Sequence, residues 1–318
     1  MACSRKPLIF DDSDGQELRI NTVNTYLKKK FGMKMVKLSI DGGFTCPNRD
    51  GTKGFGGCSY CSAAGSGEFA GNPADDIICQ FNTVRDALLK KWPDACYIPY
   101  FQAFTNTYAP VSVLKERFEP VLHQENVVGL SLATRADCLE DDVVDYLSEL
   151  NQRTCLNVEL GLQTIHDITA VKINRQHSYA EFLDGFERLK ARNIPTCVHL
   201  INGLPGENRD MMRQTAKEVG RLKPHSVKIH LLHVLDDTPI AEDYKQGKFD
   251  VLSLPEYVSI VCDQLELLPA NTVIQRITGD GDREKLIAPL WSLKKLVVMN
   301  EIDKELKRRN SFQGKYAK

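Results

Sequence analysis

Cys46, Cys58 and Cys61 stand on one short stretch of chain, with eleven residues between the first pair and two between the second. The eleven, residues 47–57, are rich in Gly and polar types. That composition forms a loop able to curl back on itself. Thiols gathered in this way bind metal as thiolates. Three of them fall one ligand short of a closed structural zinc site. They also fall one short of the four cysteines that usually hold a 4Fe–4S cluster, so a cluster held by three leaves one iron open to a substrate or cofactor. A zinc site completed by a distant His or Cys is the competing reading, and spacing alone leaves both standing. The other seven cysteines, Cys3, Cys79, Cys96, Cys138, Cys155, Cys197 and Cys262, lie singly. They read as small buried hydrophobes.

The elements that must position this loop follow from periodicity. Apolar, β-branched runs at 36–40, 97–104, 127–132, 156–160, 196–201, 227–232 and 273–277 predict strands. Amphipathic stretches at 76–91, 113–124, 141–151, 179–192, 209–222 and 255–268 predict helices between them. Ser178 and Glu181 stand three apart at the start of one of these, the spacing of a capping box. Such alternation argues for parallel βαβ units. Six or so units predict an α/β fold of the partial (β/α)6 TIM-barrel type, with chemistry at the C-terminal ends of the strands. The cysteine loop follows the first predicted strand and so belongs to the barrel mouth. The expected organisation is an N-terminal segment (1–25), a core barrel (26–282) and a C-terminal helical, basic extension (283–318), with a charged helix over 287–309.

The chain has 318 residues, 42% of them apolar and 26% charged, ordinary values for a globular protein. A core of this size needs no disulfide staples. No signal peptide and no run able to cross a bilayer is visible, so the expected location is cytoplasmic, with no membrane partner. Thiols stay reduced there, which again favours metal over disulfides. The net charge is −1. Residues 294–318 carry eight Lys/Arg against Glu301, Asp303 and Glu305, which reads either as a solvated helix face or as a weak phosphate-binding surface.

Cys58-Ser59-Tyr60-Cys61 matches the C-x-aromatic-C half of a radical S-adenosylmethionine (SAM) signature. Further ordered matches are Ser39-Ile40-Asp41-Gly42-Gly43-Phe44-Thr45-Cys46-Pro47-Asn48-Arg49-Asp50-Gly51, Phe101-Gln102-Ala103-Phe104-Thr105-Asn106-Thr107-Tyr108, Ala133-Thr134-Arg135-Ala136-Asp137-Cys138-Leu139, Glu159-Leu160-Gly161-Leu162-Gln163-Thr164, His199-Leu200-Ile201-Asn202-Gly203-Leu204-Pro205-Gly206-Glu207 and Lys228-Ile229-His230-Leu231-Leu232-His233. On these residues the chain resembles the YhcC/YtqA-type (MnmL-like) radical SAM proteins along nearly its whole length. More distantly it resembles the Elongator catalytic subunit and oxygen-independent coproporphyrinogen oxidase. The first cysteine interval is eleven where the usual one is three, as in lengthened variants.

The resemblance implies a radical SAM core holding a 4Fe–4S cluster on Cys46, Cys58 and Cys61, with SAM on the open iron. Electron transfer cleaves SAM to methionine and a 5′-deoxyadenosyl radical, which takes hydrogen from substrate. It implies SAM contacts at Tyr60 (adenine), Thr105 and Asn106 (methionine amino group), Gln163 and Arg175, His199 (ribose), and the Gly203, Pro205, Gly206 turn (adenine). A guanidinium suits the methionine carboxylate because it binds two oxygens at once. Arg135 differs in setting, since Ala133 stands where the Elongator-type motif has Glu. No catalytic residue beyond these is implied. The implied substrate is a tRNA wobble uridine, with 5-carboxymethylaminomethyluridine converted to 5-aminomethyluridine. The implied partners are that tRNA, a flavodoxin- or ferredoxin-type electron donor, and a methyltransferase taking the product. Lys228, His230, His233, Arg276 and the Lys307-Arg308-Arg309 cluster are candidate nucleic-acid contacts. A radical SAM enzyme for a small molecule such as a porphyrin precursor, and a zinc-containing binding module, are the alternatives.

Overall fold

The computed structural model describes residues 10–11 and 17–317. Cys3 lies outside the described residues. Seven strands, Met35–Ile40, Cys96–Phe101, Gly129–Thr134, Cys155–Gln163, Thr196–Asn202, Ser226–Leu231 and Val273–Arg276, form one sheet in simple chain order. Every neighbouring pair is parallel. All seven expected strands are present, and the partial barrel is the observed architecture. The first and last strands do not pair, yet Lys37 Nζ on the first donates to Gln275 Oε1 on the seventh at 3.0 Å, so the sheet is curled.

Alternation along each strand divides the molecule. Residues such as Leu38, Leu130, Val158, Val198 and Val227 face outward into one hydrophobic core with the helices. The helices that cover them include Ile77–Leu89, Asp141–Arg153, Tyr179–Ala191, Arg209–Leu222 and Leu254–Leu267. Four of these starts are set by side-chain caps: Asp76, Asn208, and reciprocal capping boxes at Ser178/Glu181 and Ser253/Glu256. The alternate residues face the barrel interior. In most such barrels these are branched apolar side chains. Here they include Lys37, Ser131, Asn157, Glu159, His199 and Lys228, and the interior is polar.

The expected helix over 287–309 is corrected. Leu286–Ala288 is a strand, antiparallel to Val234–Leu235, and Leu290–Leu293 is one 3-10 turn. The α-helix runs only over Lys295–Arg308. Pro289 explains the break, because it supplies no amide hydrogen and disfavours helix in the residue before it. The helix packs on Leu254–Leu267, and the segment after it returns to the chain start. There Asn21 N donates to Gln313 Oε1 at 2.9 Å and Arg19 Nη1 donates to the Ser311 carbonyl at 2.9 Å. Helix Val23–Phe31 went unexpected because its run of three lysines hides the weak apolar face. Cys79 is exposed and Cys155 half-buried, so the buried reading holds for Cys96, Cys138, Cys197 and Cys262.

Gly185 marks the tightest helix-to-sheet approach. A Cβ there would press into the Ala136 carbonyl oxygen just past the third strand. Gly185→Ala should therefore lower stability by about 1–3 kcal/mol, although alanine is the better helix former. Urea unfolding tests this, and a raised midpoint would contradict the close approach.

Candidate active site

The mouth of the barrel opens into a cavity of about 440 Å³. Its lining includes Cys46, Cys58, Cys61, Tyr60, Thr105, Gln163, Arg175 and His199, which brings eight of the twelve expected site residues together. Asn106, Gly203, Pro205 and Gly206 are not part of that lining. Asn106 is fully buried, and its amide donates to the carbonyls of Phe101, Ala103 and Ala133, tying the second strand's end to the third's. The Gly203–Gly206 turn follows the fifth strand as expected, with both glycines at positive φ.

The cysteine loop is held by its own polar side chains. Asn48 Nδ2 donates to the Asn174 carbonyl at 2.5 Å, and Asn174 Nδ2 donates back to the Gly57 carbonyl at 2.7 Å. Arg49 Nη2 donates to the carbonyls of Cys61 and Ser62 at 3.2 and 2.5 Å, and its guanidinium stacks on Phe104. Gly57 sits at φ +79°, and a Cβ there would meet Arg49 Nε at 2.8 Å.

Burial, then the charge of Cys61, pushes the Cys58 thiol up to about 11, and burial raises Cys61 as well. Thiolates so placed need a compensating cation. A single zinc ion requires every sulfur within about 2.3 Å of one centre. Among the described residues no three His, Cys, Asp or Glu are gathered for one metal ion. A cubane takes each thiolate on a different iron, and that donor set fits the three cysteines.

Beside the loop lie buried groups left without hydrogen-bond partners. Arg175 is 1% exposed. Its Nε and Nη1 donate to the carbonyls of His177, Leu162 and Thr164, while Nη2 has no acceptor, the nearest carboxylate being Asp167 at 3.6 Å. Gln163 stands at φ +61°, at a register shift between the fourth and fifth strands, and its Oε1 has no donor. A non-glycine residue held there stores strain, which tends to sit at functional positions. Gly161 makes the room, since a Cβ on it would lie 2.5 Å from Gln163 Nε2. A guanidinium edge and an amide oxygen, both buried and unsatisfied, fit the carboxylate and amino group of an amino-acid ligand such as the methionine part of SAM. Arg135 is committed elsewhere, bidentate to Asp137 at 2.9 and 2.8 Å. Against the cost of burial, it holds Asp137 down to about 2.

Sequence reasoning singled out His199 and Lys228 but not the carboxylate that joins them. Glu159 is fully buried and accepts from Lys37 Nζ (2.6 Å), Ser131 Oγ (3.0 Å), Asn157 Nδ2 (3.1 Å), Tyr100 OH (2.8 Å) and Lys228 Nζ. His199 Nε2 lies 2.9 Å from it, so this histidine is anchored to a carboxylate. Burial opposes the charge on Glu159, but Lys228 and Lys37 hold it well below the usual carboxylate range. Burial brings Lys228 down to about 8 and His199 down to about 4. The available signal was a lone charge inside each β-branched run: Lys37, Glu159 and Lys228 each sit between two apolar neighbours.

Comparison with known proteins adds to this geometry. The model of the Radical SAM superfamily matches residues 46–219, starting at the first cysteine of the loop, and that of the Radical_SAM C-terminal domain matches 224–308. The chain is 55% identical over 300 residues to the uncharacterized protein YtqA of Bacillus subtilis, covering 94% of this chain and 93% of YtqA. The chain belongs to the radical SAM superfamily. It shares 26% identity over 160 residues with the tRNA uridine(34) acetyltransferase of Methanocaldococcus jannaschii, 49% of this chain and 29% of that protein. The solved structure of Methanocaldococcus infernus Elp3 with an N-terminal deletion superposes with a TM-score of 0.66 at 17% identity, covering 88% of this chain and 64% of that one, which is a likeness of fold.

As a radical SAM enzyme the protein uses a 4Fe–4S cluster and SAM, which together supply a hydrogen-abstracting carbon radical. Cys46, Cys58 and Cys61 are the residues that would hold the cluster, with Arg175 and Gln163 free to meet SAM and fixed polar groups lining the space beyond.

Two outcomes follow. Cys46→Ala should bring iron from about four per chain to near none after anaerobic reconstitution, with loss of the visible charge-transfer band. A full complement of iron and sulfide in that variant would remove Cys46 from the ligand set. Glu159→Gln leaves two lysines facing a neutral amide and should cost about 3–5 kcal/mol in urea unfolding. Because the folded-state pKa of Glu159 is depressed, its contribution is fully present at neutral pH and is lost progressively as pH falls from the ordinary carboxylate range down through the depressed value. An unchanged midpoint in Glu159→Gln, or a pH profile equal to wild type, would contradict the role of the network.

Proposed function

We propose that this radical SAM enzyme acts on the wobble uridine of tRNA, converting 5-carboxymethylaminomethyluridine to 5-aminomethyluridine. The observation that carries the reading is kinship: half of this chain aligns with a protein named for tRNA uridine 34. The cavity supports it, being polar and lined by groups able to bond a modified base. The base would leave its stack to enter the barrel mouth.

The chemistry balances as an oxidative N-dealkylation. A hydrogen atom leaves the methylene between the amine and the carboxylate of the substrate arm. One electron passes to a one-electron carrier of the flavodoxin or ferredoxin class, and the amine proton is released. The resulting imine takes up water, its C=N bond breaks, and the products are the aminomethyl nucleoside and glyoxylate. The same class of carrier supplies the electron that starts SAM cleavage. A methyltransferase is the natural consumer of the free amine.

The candidate basic surface at the C-terminus does not support this reading. Lys307 pairs with Asp303 at 2.6 Å, Arg308 with Glu305 at 2.7 Å, and Arg309 with Asp263 and Glu305 at 2.7 Å each. Helical spacing of the first two pairs makes this neutralisation local.

The test is anaerobic incubation of cluster-loaded, reduced enzyme and SAM with tRNA carrying the carboxymethylaminomethyl group. Nucleoside mass spectrometry should show 5-aminomethyluridine and 5′-deoxyadenosine in equal amounts. Unchanged nucleosides beside active SAM cleavage would overturn the reading. Cleavage stimulated by a porphyrin precursor and not by tRNA would replace it with small-molecule chemistry.

A further inference from the structure

Three cations stand on or against the wall formed by the sixth and seventh strands. Lys37 and Lys228 share one carboxylate, Glu159. Lys37 Nζ is fully used, donating to Ser131, Glu159 and Gln275. Lys228 Nζ donates to Glu159 and to Tyr100 OH, which accounts for two of its three hydrogens. Arg276 adds a third cation at the end of the seventh strand.

None of the acids lining this side of the cavity makes a close hydrogen bond to Arg276. Asp280 lies 3.8 Å from Arg276 but bonds Lys295 with both oxygens, at 3.1 and 2.8 Å. Asp282 Oδ1 accepts from the Glu284 amide at 3.0 Å. Glu68 accepts from Ser62. Between Arg276 and Lys228 stand His230 and His233, both lining the cavity, and the Nε2 of each is buried with no partner. The His230 ring lies 5.2 Å from that of His199. Gly279 closes over His233, since a Cβ there would meet its ring at 2.9 Å. Two cations and two unpartnered imidazoles on one cavity wall are short of an anion able to accept several hydrogen bonds.

The geometry points to a carboxylate-recognition site for the substrate, with Arg276 as the specificity-determining cation and His230, His233 and Lys228 as supporting donors. It rests on the function proposed above, and deepens it by assigning the carboxymethyl end of the modified uridine to this wall. Holding the carboxylate there fixes the adjacent methylene, the carbon that loses hydrogen. A carboxylated small molecule would meet the same wall, and the experiment separates the two sources.

The experiment compares tRNA bearing 5-carboxymethylaminomethyluridine with the same tRNA after methyl esterification of that carboxylate. The loaded enzyme should show a kcat/KM at least about tenfold higher for the free acid, the loss expected when one charge-assisted contact disappears. Arg276→Gln should erase that preference through KM, and Arg276→Lys should restore part of it. Equal kcat/KM for acid and ester in wild type would overturn the site while leaving the tRNA reading intact. If neither tRNA is converted, the tRNA reading fails by itself. Calorimetric binding of the free nucleoside and its methyl ester to loaded enzyme then decides the site. Preference for the acid that Arg276→Gln removes would uphold it with a small carboxylate as ligand. Equal binding, or binding of neither, would overturn it.

Discussion

A carboxylate buried without exposure to water must be met by opposite charge and by hydrogen bonds, or it will not stay ionised. Glu159 is that carboxylate here, and much of the barrel's interior is arranged around it. Its two oxygens are reached from the first, second, third, fifth and sixth strands, through Lys37, Tyr100, Ser131, His199 and Lys228. Gln275 joins from the seventh strand through Lys37. One side chain therefore reports on the curvature of the whole sheet. Opening the curl would separate Lys37 from Glu159 and leave a buried charge alone. Hydrophobic packing of helices on the outer face drives the fold, but it does not by itself specify how far the sheet must curl. The buried network does, since its partners can all reach Glu159 only in the curled form.

The same network frees the strand ends for other work. In a barrel filled by branched apolar side chains the interior is a packed core. Here the middle of the strands is filled by mutually satisfied polar groups, and space opens above them toward the C-terminal ends. The cysteine loop leaves the first strand at that level. Its clamps, Asn48 to Asn174 and Arg49 to the carbonyls of Cys61 and Ser62, join distant parts of the chain before any metal is present. A loop held this way has much of its path fixed by protein contacts, so a cluster need not supply all the ordering itself.

How much of this could be read in advance follows from periodicity. The seven strands were legible because their outward residues, such as Leu38, Val158 and Val227, repeat every second position and pack in one core. Most helices were legible from caps such as Ser178/Glu181. What periodicity could not reveal was the meaning of the inward positions. Alternation of apolar and polar residues is the pattern of a strand with one face in water. In this chain the polar face turns inward instead. Lys37 and Lys228 lie 122 and 69 residues from Glu159, and no spacing rule joins them. The 286–288 strand was hidden for a related reason, because its partner at 234–235 is equally short and distant. Spacing alone singled out the cysteines as candidate metal ligands, whereas Gln163 and Arg175 required resemblance to a known family. The structure adds why those two residues suit the site: one is strained, and each ends in an atom without a partner.

Satisfaction of polar groups changes along the strands, and the direction of that change locates the reaction space. At mid-strand, the Glu159 carboxylate and the Lys37 ammonium are fully engaged. At the C-terminal ends, Gln163 Oε1, Arg175 Nη2, His230 Nε2 and His233 Nε2 are buried and unpaired. A folded chain tolerates few such groups, because each costs about 1–3 kcal/mol when desolvated without a partner. These four atoms, together with both ring nitrogens of His177 in the same lining, would be a persistent cost unless something bound there completes them. Their chemistry differs from one side to the other. Gln163 and Arg175 lie on the fourth strand and just beyond it, where an acceptor and a donor suit the two ends of an amino acid. His230 and Arg276 lie on the sixth and seventh strands and His233 just past the sixth, where only donors suit an anion. The cavity thus carries two chemically distinct sets of unsatisfied groups, one matching an amino acid and the other matching the anion proposed above.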